Sequence, residues 1–304
     1  MMDGAAVSEF MEGFHREGKM RMRTWLITGC SSGLGRAFAL AALENGDRVV
    51  ATARQAEAVD GIARAFPDRA LALALDIRDG AQGRAVVESA VARFGGVDIL
   101  VNNAGYSYRA AVEEGEDEEV RSLFETNFFG AVSMIKAVLP SMRQRQTGTI
   151  VNISSDAGRG ASPGSGYYAA TKFALEGMSE ALRKEVAPLG IRVLVVEPGA
   201  FRTSIKGASM RQSKAPMADY ADTAGRRREE NLRGHGTQRG DPARAAQALI
   251  TALAAKAMPS RLVIGPDAFA FIANEVALQA AELEAWKDLS LSTDFATGKQ
   301  KPAR

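Results

Sequence analysis

The chain has 304 residues, of which 46% are hydrophobic and 24% are charged, so it has the composition of an ordinary globular protein with a large core. Its 38 basic and 36 acidic residues leave a formal net charge of +2, which gives no support for a nucleic-acid partner. No apolar run approaches the ~20 residues that a membrane span requires, and no signal peptide is recognisable.

Residues that bind metals or form disulfides are few. The single cysteine, Cys30, excludes an intrachain disulfide and fits a reducing compartment, so we expect a cytoplasmic protein. The two histidines, His15 and His235, have no recognisable metal-ligand spacing, and no metal site is predicted. The length is compatible with two domains or with one large α/β domain.

A glycine-rich turn follows the first predicted strand. Residues 1–22 are predicted to be an extension, after which the apolar run 25–28 leads into the turn and an alanine-rich helix that ends at Glu44. In this context glycines indicate phosphate binding, because a helix N-terminus offers free N–H groups and the positive end of its dipole. A plain tight turn is the alternative. The predicted cofactor contacts here are Gly29, Ser31, Ser32, Gly33, Leu34 and Gly35.

The second predicted strand, residues 48–54, bears on the choice of cofactor. An acid at its end would bind the ribose 2′-hydroxyl of NAD, but the strand ends in Thr52, Ala53 and Arg54. Arg54 can instead bind a 2′-phosphate through its planar fork, and Arg36 can assist. The sequence therefore favours NADP(H), with NAD(H) possible. The alternative is that Arg54 is a solvated surface residue.

Strands and helices alternate along most of the chain. The seven predicted strands cover residues 25–28, 48–54, 70–75, 97–101, 148–153, 191–196 and 261–264. This alternation predicts βαβ units and one doubly wound, seven-stranded parallel sheet with helices on both faces. Ligands of such sheets bind beyond the carboxyl ends of the strands. That rule brings further candidate cofactor contacts to the edge that holds the glycine turn: Asp76, Ile77, Asn103, Ala104 and Gly105.

Residues 165–177 are predicted to begin a helix that carries two reactive side chains. Tyr168 and Lys172 are four residues apart and therefore share a helix face. A cation beside a phenol favours the phenolate and lowers the pKa of the tyrosine. Tyr167 has Thr171 at the same spacing and is the poorer candidate. The alternative is an amphipathic helix that holds Tyr and Lys by chance.

The last third of the chain departs from this alternation. Residues 200–241 are polar, charged and glycine-rich, and they follow the carboxyl end of a strand, so a substrate lid is predicted and a disordered insertion is the alternative. Residues 266–304 are predicted to form a C-terminal helix and tail. The arginines of the lid are compatible with an anionic substrate, whereas its apolar residues are compatible with a hydrophobic pocket: Ile205, Met210, Met217 and Tyr220. Apolar residues of the C-terminal helix are candidates for packing or self-association: Phe269, Ile272, Val276 and Leu283.

The order of these motifs resembles that of the short-chain dehydrogenase/reductase family over about residues 23–265, and the resemblance implies a single-domain Rossmann fold. Ser155 precedes Tyr168 by thirteen positions (168 − 155), which makes the match specific. The turn, Arg54 and the Tyr168 helix look like the NADP-dependent branch that includes retinol and 17β-hydroxysteroid dehydrogenases. The N-terminal extension, the lid and the C-terminal helix depart from the pattern and leave the substrate and the oligomer open.

The resemblance also implies roles for individual residues. Tyr168 is the expected general acid/base, Lys172 lowers its pKa and holds the nicotinamide ribose, and Ser155 binds the substrate oxygen. Asn127 is expected to hold a water in a proton relay. Asp76 is expected at the adenine. The remaining expected cofactor contacts are Asn103, Ala104 and Gly105 beside the cofactor, and Pro198, Gly199 and Thr203 beside the carboxamide.

The implied function is an NADP(H)-dependent oxidoreductase that interconverts a small ketone or aldehyde and an alcohol, as a homo-dimer or homo-tetramer. One alternative is a catalytically idle, NADP-binding regulatory protein that kept the fold. Another is an epimerase or dehydratase on the same fold. That third possibility requires tightly held NAD, which Arg54 disfavours.

Overall fold

The structure is a computed structural model that describes residues 22–203, 209–234 and 236–295. Its strands are β1 (Thr24–Ile27), β2 (Arg48–Ala53), β3 (Ala70–Ala74), β4 (Ile99–Asn102), β5 (Ser107–Arg109), β6 (Gly148–Ile153), β7 (Ile191–Pro198), β8 (Met210–Gln212) and β9 (Arg261–Ile264). Its α-helices are α1 (Gly33–Glu44), α2 (Asp60–Ala65), α3 (Gly80–Phe94), α4 (Asp117–Phe124), α5 (Gly130–Arg145), α6 (Gly166–Val186), α7 (Arg226–Arg233), α8 (Pro242–Ala254), α9 (Pro266–Ala285) and α10 (Lys287–Leu291). A π-helical turn, Glu125–Phe129, joins α4 to α5.

Seven strands form one parallel sheet in the order β3-β2-β1-β4-β6-β7-β9. The predicted seven-stranded, doubly wound, single-domain fold is therefore confirmed. The strand order reverses between β1 and β4, which pair from Trp25 opposite Ile99 to Ile27 opposite Val101. Chain segments leave this reversal in opposite directions, and the crevice between them is where such sheets bind ligands.

Both faces of the sheet are buried, as the parallel arrangement requires. Successive residues of a strand point to opposite faces, so Leu26 and Ile27 belong to different apolar layers. Phe38 of α1 and Leu249 of α8 pack in the layer of Ile27. Met134 of α5 packs in the layer of Leu26. The central strands are thus held from both sides, which gives the loops at their carboxyl ends a rigid base.

A second, two-stranded parallel ribbon lies outside the main sheet. Its strands β5 and β8 pair from Ser107 opposite Met210 to Arg109 opposite Gln212. The sequence predicted neither strand. The segment 200–241 thus contains regular structure in its described part, namely β8 and α7, and its role as a substrate lid stays a prediction. Ile205 and His235 of this segment, and His15 near the N-terminus, lie outside the described residues.

The C-terminal helix ends earlier than the sequence suggested. For residues 266–304 the sequence predicts a helix from Pro266 to about Asp288 and a tail, but α9 ends at Ala285 and the short α10 follows. Ile272 packs into the protein, whereas three other apolar side chains of α9 are exposed: Phe269, Val276 and Leu283. Self-association through them stays a prediction. Among the described helices none combines the length and the apolar character that a membrane crossing requires.

Candidate active site

A cleft of about 630 Å³ opens at the carboxyl edge of the sheet, above the strand-order reversal. Every residue that the sequence predicted for the site lines this cleft, except Gly35, Arg36 and Asn127. Gly35 and Asn127 lie directly behind the lining. A Cβ atom on Gly35 would fall within 3.0 Å of the Gly29 carbonyl, and a Cβ on Gly105 would meet the Asn127 Oδ1 at 3.0 Å.

The glycine turn after β1 is bonded to the turn after β4. Asn103 Nδ2 donates to the carbonyl oxygens of Thr28 at 2.9 Å and Gly29 at 3.0 Å. Thr28 Oγ1 accepts from the backbone N–H groups of Asn103 and Ala104, both at 3.0 Å. Gly29 has φ +74°, a left-handed conformation that glycine adopts without strain. These bonds fix a concave turn at the N-terminus of α1, where a phosphate can approach the backbone closely.

Charged side chains follow β2 and β3 at the same end of the cleft. Arg54 is exposed and lines the cleft, whereas Arg36 does not line it. The carboxylate of Asp76 accepts from Arg78 through its backbone N–H at 3.0 Å, its Nε at 3.0 and 3.1 Å and its Nη2 at 2.6 Å. The Arg78 hydrogen bond holds the pKa of Asp76 below its usual value. Sequence reasoning missed Arg78, which adds a second cation beside Arg54.

Tyr168 and Lys172 lie on one face of α6 and are only 8% and 6% exposed. Lys172 Nζ is 5.7 Å from the centroid of the Tyr168 ring and donates to the Ile153 carbonyl at 2.8 Å. Burial lowers the pKa of Lys172 to about 8, although the nearby Glu176 opposes the shift. Burial also raises the pKa of Tyr168, while a hydrogen bond with Ser155 lowers it. The phenol is therefore a neutral proton donor in this state.

Ser155 follows β6 and faces the same part of the cleft. Its Oγ donates to Asp156 Oδ1 at 2.6 Å and accepts from the Ala157 N–H at 3.2 Å. Ser155 can therefore donate to a bound oxygen only by releasing Asp156. Together with Tyr168 it offers two hydroxyl groups to one bound oxygen atom.

Asn127 lies in the π-helical turn, and its amide makes three hydrogen bonds. Nδ2 donates to the Tyr106 carbonyl at 2.9 Å and to Thr171 Oγ1 at 3.2 Å, while Oδ1 accepts from the Tyr106 N–H at 3.1 Å. These bonds connect the turn after β4 with α6. The role of Asn127 in holding a relay water stays a prediction, because a water has only the second lone pair of Oδ1 to bind.

Tyr167 points away from the cleft. Its hydroxyl donates to the Val112 carbonyl at 2.6 Å, and its ring packs against Gly115 so closely that a Cβ there would clash. Tyr167 is not among the residues that line the cleft. The helical spacing thus distinguished the two adjacent tyrosines: Tyr168 faces the cleft, whereas Tyr167 packs against a loop.

Arg109 is a cleft residue that sequence reasoning missed. It belongs to β5, a strand of three residues that no sequence pattern indicated. Its guanidinium carbon lies 5.5 Å from the centroid of the Tyr168 ring, and burial lowers its pKa. The cation therefore stands beside the candidate acid/base group.

Comparisons with known proteins identify the family of the chain. Residues 23–214 match the family described as short chain dehydrogenase. An oxidoreductase named BOA17 from Botryotinia fuckeliana is 39% identical over 272 residues, which cover 89% of this chain and 99% of that protein. A 3-ketodihydrosphingosine reductase from Bacteroides thetaiotaomicron is 37% identical over 253 residues, or 81% of this chain and 89% of that protein. The chain therefore belongs to the short-chain dehydrogenase family and is an oxidoreductase of that family.

Solved structures show the same relationship. The crystal structure of a short-chain dehydrogenase from Streptomyces avermitilis is 44% identical, has a TM-score of 0.85 and covers 91% of this chain and 100% of its own. The structure of ElxO with NADP bound is 28% identical, has a TM-score of 0.65 and covers 80% of this chain and 97% of its own. The fold is thus shared over nearly the full length of both neighbours.

The depressed pKa of Lys172 predicts a pH-dependent contribution to stability. An unfolded lysine titrates near 10.5, whereas Lys172 in the folded protein titrates at about 8. Between these values the unfolded chain binds more protons, so stability rises with pH there and the burial cost is fully present below about pH 8. The unfolding free energy of the wild type minus that of Lys172→Met should rise by about 3 kcal/mol from pH 7 to pH 10.5, measured by urea unfolding.

Lys184→Met is the matched control for this experiment, because Lys184 lies on the same helix with its side chain 65% exposed. Its difference from the wild type should stay constant within about 0.5 kcal/mol over the same pH range. A Lys172→Met difference that is equally flat would show that Lys172 is not a buried, destabilised cation.

Proposed function

We propose that the protein is an NADP(H)-dependent oxidoreductase that interconverts a ketone or aldehyde and the corresponding alcohol, with Tyr168 as general acid/base. One observation carries this proposal: the hydroxyl groups of Tyr168 and Ser155 meet in the cleft beside the buried Lys172, and the same cleft continues to the glycine turn. The 3-ketodihydrosphingosine reductase among the relatives supports a ketone as the reacting group.

The residues present fit a nicotinamide dinucleotide. The turn after β1 needs glycine because a Cβ atom at Gly29, Gly33 or Gly35 would come within 3.1 Å of neighbouring protein atoms, and the turn lines the cleft through Gly29 and Gly33. ElxO, a structural neighbour, is known with NADP bound. The glycine turn would hold the pyrophosphate, Asp76 and Ile77 the adenine, Lys172 the nicotinamide ribose, and Pro198, Gly199 and Thr203 the carboxamide. When bound, the nicotinamide supplies the hydride in reduction and accepts it in oxidation.

The chain itself supplies the proton and holds the substrate. In reduction the carbonyl carbon gains a hydride and its oxygen gains the proton of Tyr168, so a ketone becomes a secondary alcohol. Ser155 donates to the same oxygen once it releases Asp156, which orients the carbonyl. Lys172 brings a positive charge beside the phenol and favours its anionic form after proton transfer. Oxidation runs the same steps in reverse.

Arg54 supports NADP(H) over NAD(H). It directly follows β2, at the position where an acid would bind the 2′-hydroxyl of NAD and repel a 2′-phosphate. Arg78 adds a second guanidinium nearby, but that group is already bound to Asp76. Arg54 is therefore the cation whose guanidinium can bind the phosphate through two parallel hydrogen bonds.

Exchanging the charge of Arg54 should reverse cofactor preference. We expect the wild type to bind NADPH at least about tenfold more tightly than NADH, and Arg54→Glu to bind NADH more tightly than NADPH, because a carboxylate repels the phosphate and accepts from the 2′-hydroxyl. Titration of NADPH and NADH fluorescence measures both affinities. Arg64→Glu on α2 makes the same charge change at an exposed site away from the cleft and should leave the preference unaltered. Equal affinities of the wild type for both cofactors would refute the role of Arg54.

An NADP-binding regulatory protein without activity is the second candidate, and it differs from the first in one measurement. NADPH binding without consumption by any member of a panel of ketones and aldehydes would favour it. The buried lysine disfavours it, because a buried charge costs stability and a protein that only binds NADP has no use for the phenol beside it. The homo-oligomer and the substrate lid at 200–241 stay predictions of this proposal.

A further inference from the structure

Arg109 faces the cleft, where it can contact the substrate, and its position is not one that stabilises the fold. Tyr108, its neighbour in β5, is fully buried against Leu123, and the alternation along a strand turns Arg109 to the opposite side, into the cleft. Its guanidinium lies 5.5 Å from the centroid of the Tyr168 ring. The cation therefore borders the space in which the reacting carbonyl must lie.

The guanidinium of Arg109 has no acidic partner in the described part of the chain. Its Nε is buried without a hydrogen-bond acceptor, and no carboxylate lies within ion-pair distance of it among the described residues. Neighbouring arginines differ in this respect. Arg211 is paired with Glu119 at 2.8 Å, and Arg228 is paired with the buried Glu114. Arg109 is partly buried, and a guanidinium withdrawn from water without an ion-pair partner costs free energy, so its retention calls for a ligand.

The charges that face Arg109 do not neutralise it. Tyr168 and Asp156 favour its charged form, while Arg227 opposes it. The Asp156 carboxylate accepts from Ser155 and from the Ala157 N–H, both through Oδ1, and it forms no ion pair with Arg109 among the described residues. Arg227, from α7, also lines the cleft, is 45% exposed and is paired with Glu230 at 3.1 Å. Of these two cations, Arg109 is therefore the one without an ion-pair partner among the described residues.

We propose that the substrate of this oxidoreductase carries a carboxylate, which Arg109 binds beside the reacting carbonyl. The proposal rests on the proposed function, because it takes the position of the carbonyl from Tyr168 and Ser155. A planar guanidinium matches a carboxylate through two parallel hydrogen bonds. The short distance between the guanidinium and the phenol ring requires that only a few bonds separate the carboxylate from the carbonyl. The substrate class is therefore a short-spaced oxo acid or the hydroxy acid that it forms on reduction.

Arg109 also favours the phenolate of Tyr168 through its charge, and this second effect needs to be separated from substrate binding. A charge that acts on Tyr168 changes turnover of every substrate alike and shifts the pH profile of kcat. A charge that binds a carboxylate changes turnover of oxo acids and leaves their neutral esters nearly unaffected. Comparison of an acid with its own ester distinguishes the two.

The experiment measures NADPH-dependent reduction of 2-oxohexanoate, 4-oxohexanoate and 5-oxohexanoate and of their methyl esters. We expect the wild type to prefer at least one acid over its ester by about 100-fold in kcat/KM, and Arg109→Met to lose that preference mainly through KM. Arg109→Lys should recover part of the preference for the acid, because lysine restores the positive charge but not the planar guanidinium. Arg244→Met is the matched control, since Arg244 on α8 is 90% exposed and outside the cleft.

A binding measurement makes the inference independent of turnover. Calorimetric titration of the cofactor-free full chain with butyrate, and with butyramide as the neutral probe, should show butyrate binding that Arg109→Met weakens at least about tenfold and Arg244→Met does not. Butyrate binding that Arg109→Met leaves unchanged overturns the inference. Equal loss of activity on acids and esters in Arg109→Met also overturns it, in favour of an effect on Tyr168.

The outcomes also separate this inference from the proposed function. If the wild type reduces the esters as fast as the acids, the inference that the substrate carries a carboxylate is refuted, while the proposed oxidoreductase function still stands. Absence of any reduction, together with butyrate binding that depends on Arg109, overturns the proposed function and supports the anion site.

Discussion

Tyr168→Phe should lower kcat about 10³-fold for any carbonyl substrate that the wild type reduces. The variant keeps the ring between Arg109 and Lys172 and removes only the hydroxyl that delivers the proton. NADPH affinity should therefore stay within about threefold of the wild type, which is about 0.7 kcal/mol. Steady-state kinetics and cofactor fluorescence on the same preparation give both quantities.

Tyr167→Phe is the matched control because it removes the same atom from the adjacent residue. Its hydroxyl bonds the Val112 carbonyl outside the cleft, so the variant should lose about 1 kcal/mol of stability and keep its kcat. Full activity of Tyr168→Phe, combined with inactivity of Tyr167→Phe, would show that the acid/base group has been assigned to the wrong tyrosine.

Gly35→Ala should remove cofactor binding through a single methyl group. A Cβ at Gly35 comes within 3.0 Å of the Gly29 carbonyl and of Asn103 Nδ2, and the first of these is backbone that cannot rotate away. The turn after β1 must therefore shift, and it loses the position in which its N–H groups face a phosphate. We expect NADPH affinity to fall at least about 100-fold and stability to fall by about 2 to 3 kcal/mol.

The control for this prediction is Gly177→Ala. Gly177 is exposed in the middle of α6, and a Cβ there meets no atom within 4 Å. The same substitution should stabilise the protein by roughly 0.5 to 1 kcal/mol, because alanine is the better helix former, and leave cofactor affinity unchanged. Unfolding curves and NADPH titrations of the two variants test this difference. Tight NADPH binding by Gly35→Ala would contradict the packing described for the turn.

The sequence was sufficient for the main sheet because its signals are local. The β1 run, the turn and α1 follow one another, and the rule that ligands bind at strand carboxyl ends then brings distant turns together. The same applies to α6, where spacing along one helix distinguishes Tyr168 from Tyr167. Predictions of this kind need only the period of a regular element.

The features that the sequence did not predict depend on contacts between distant parts of the chain, and such contacts leave no periodic pattern in the sequence. β5 and β8 have three residues each, and their first residues lie 103 positions apart (210 − 107), so neither strand has a partner in its own neighbourhood. The π-helical turn that orients Asn127 reads as continuous helix in the sequence. Arg109 illustrates the consequence, since its chemistry comes from burial beside Tyr168 and not from any motif.

The ribbon of β5 and β8 also affects how the ligand preference of the cleft can change through mutation. Its two strands come from segments outside the main sheet and pair over three residues each. Lys172 is held by α6 and by its hydrogen bond to Ile153 at the end of β6, whereas Arg109 belongs to the ribbon and the Tyr168 ring packs in a cluster with Tyr108 of the ribbon. Substitution of Arg109, which faces the cleft, can therefore change what the cleft accepts, whereas substitution of Tyr108, on the other face of the ribbon, would also disturb the proton donor.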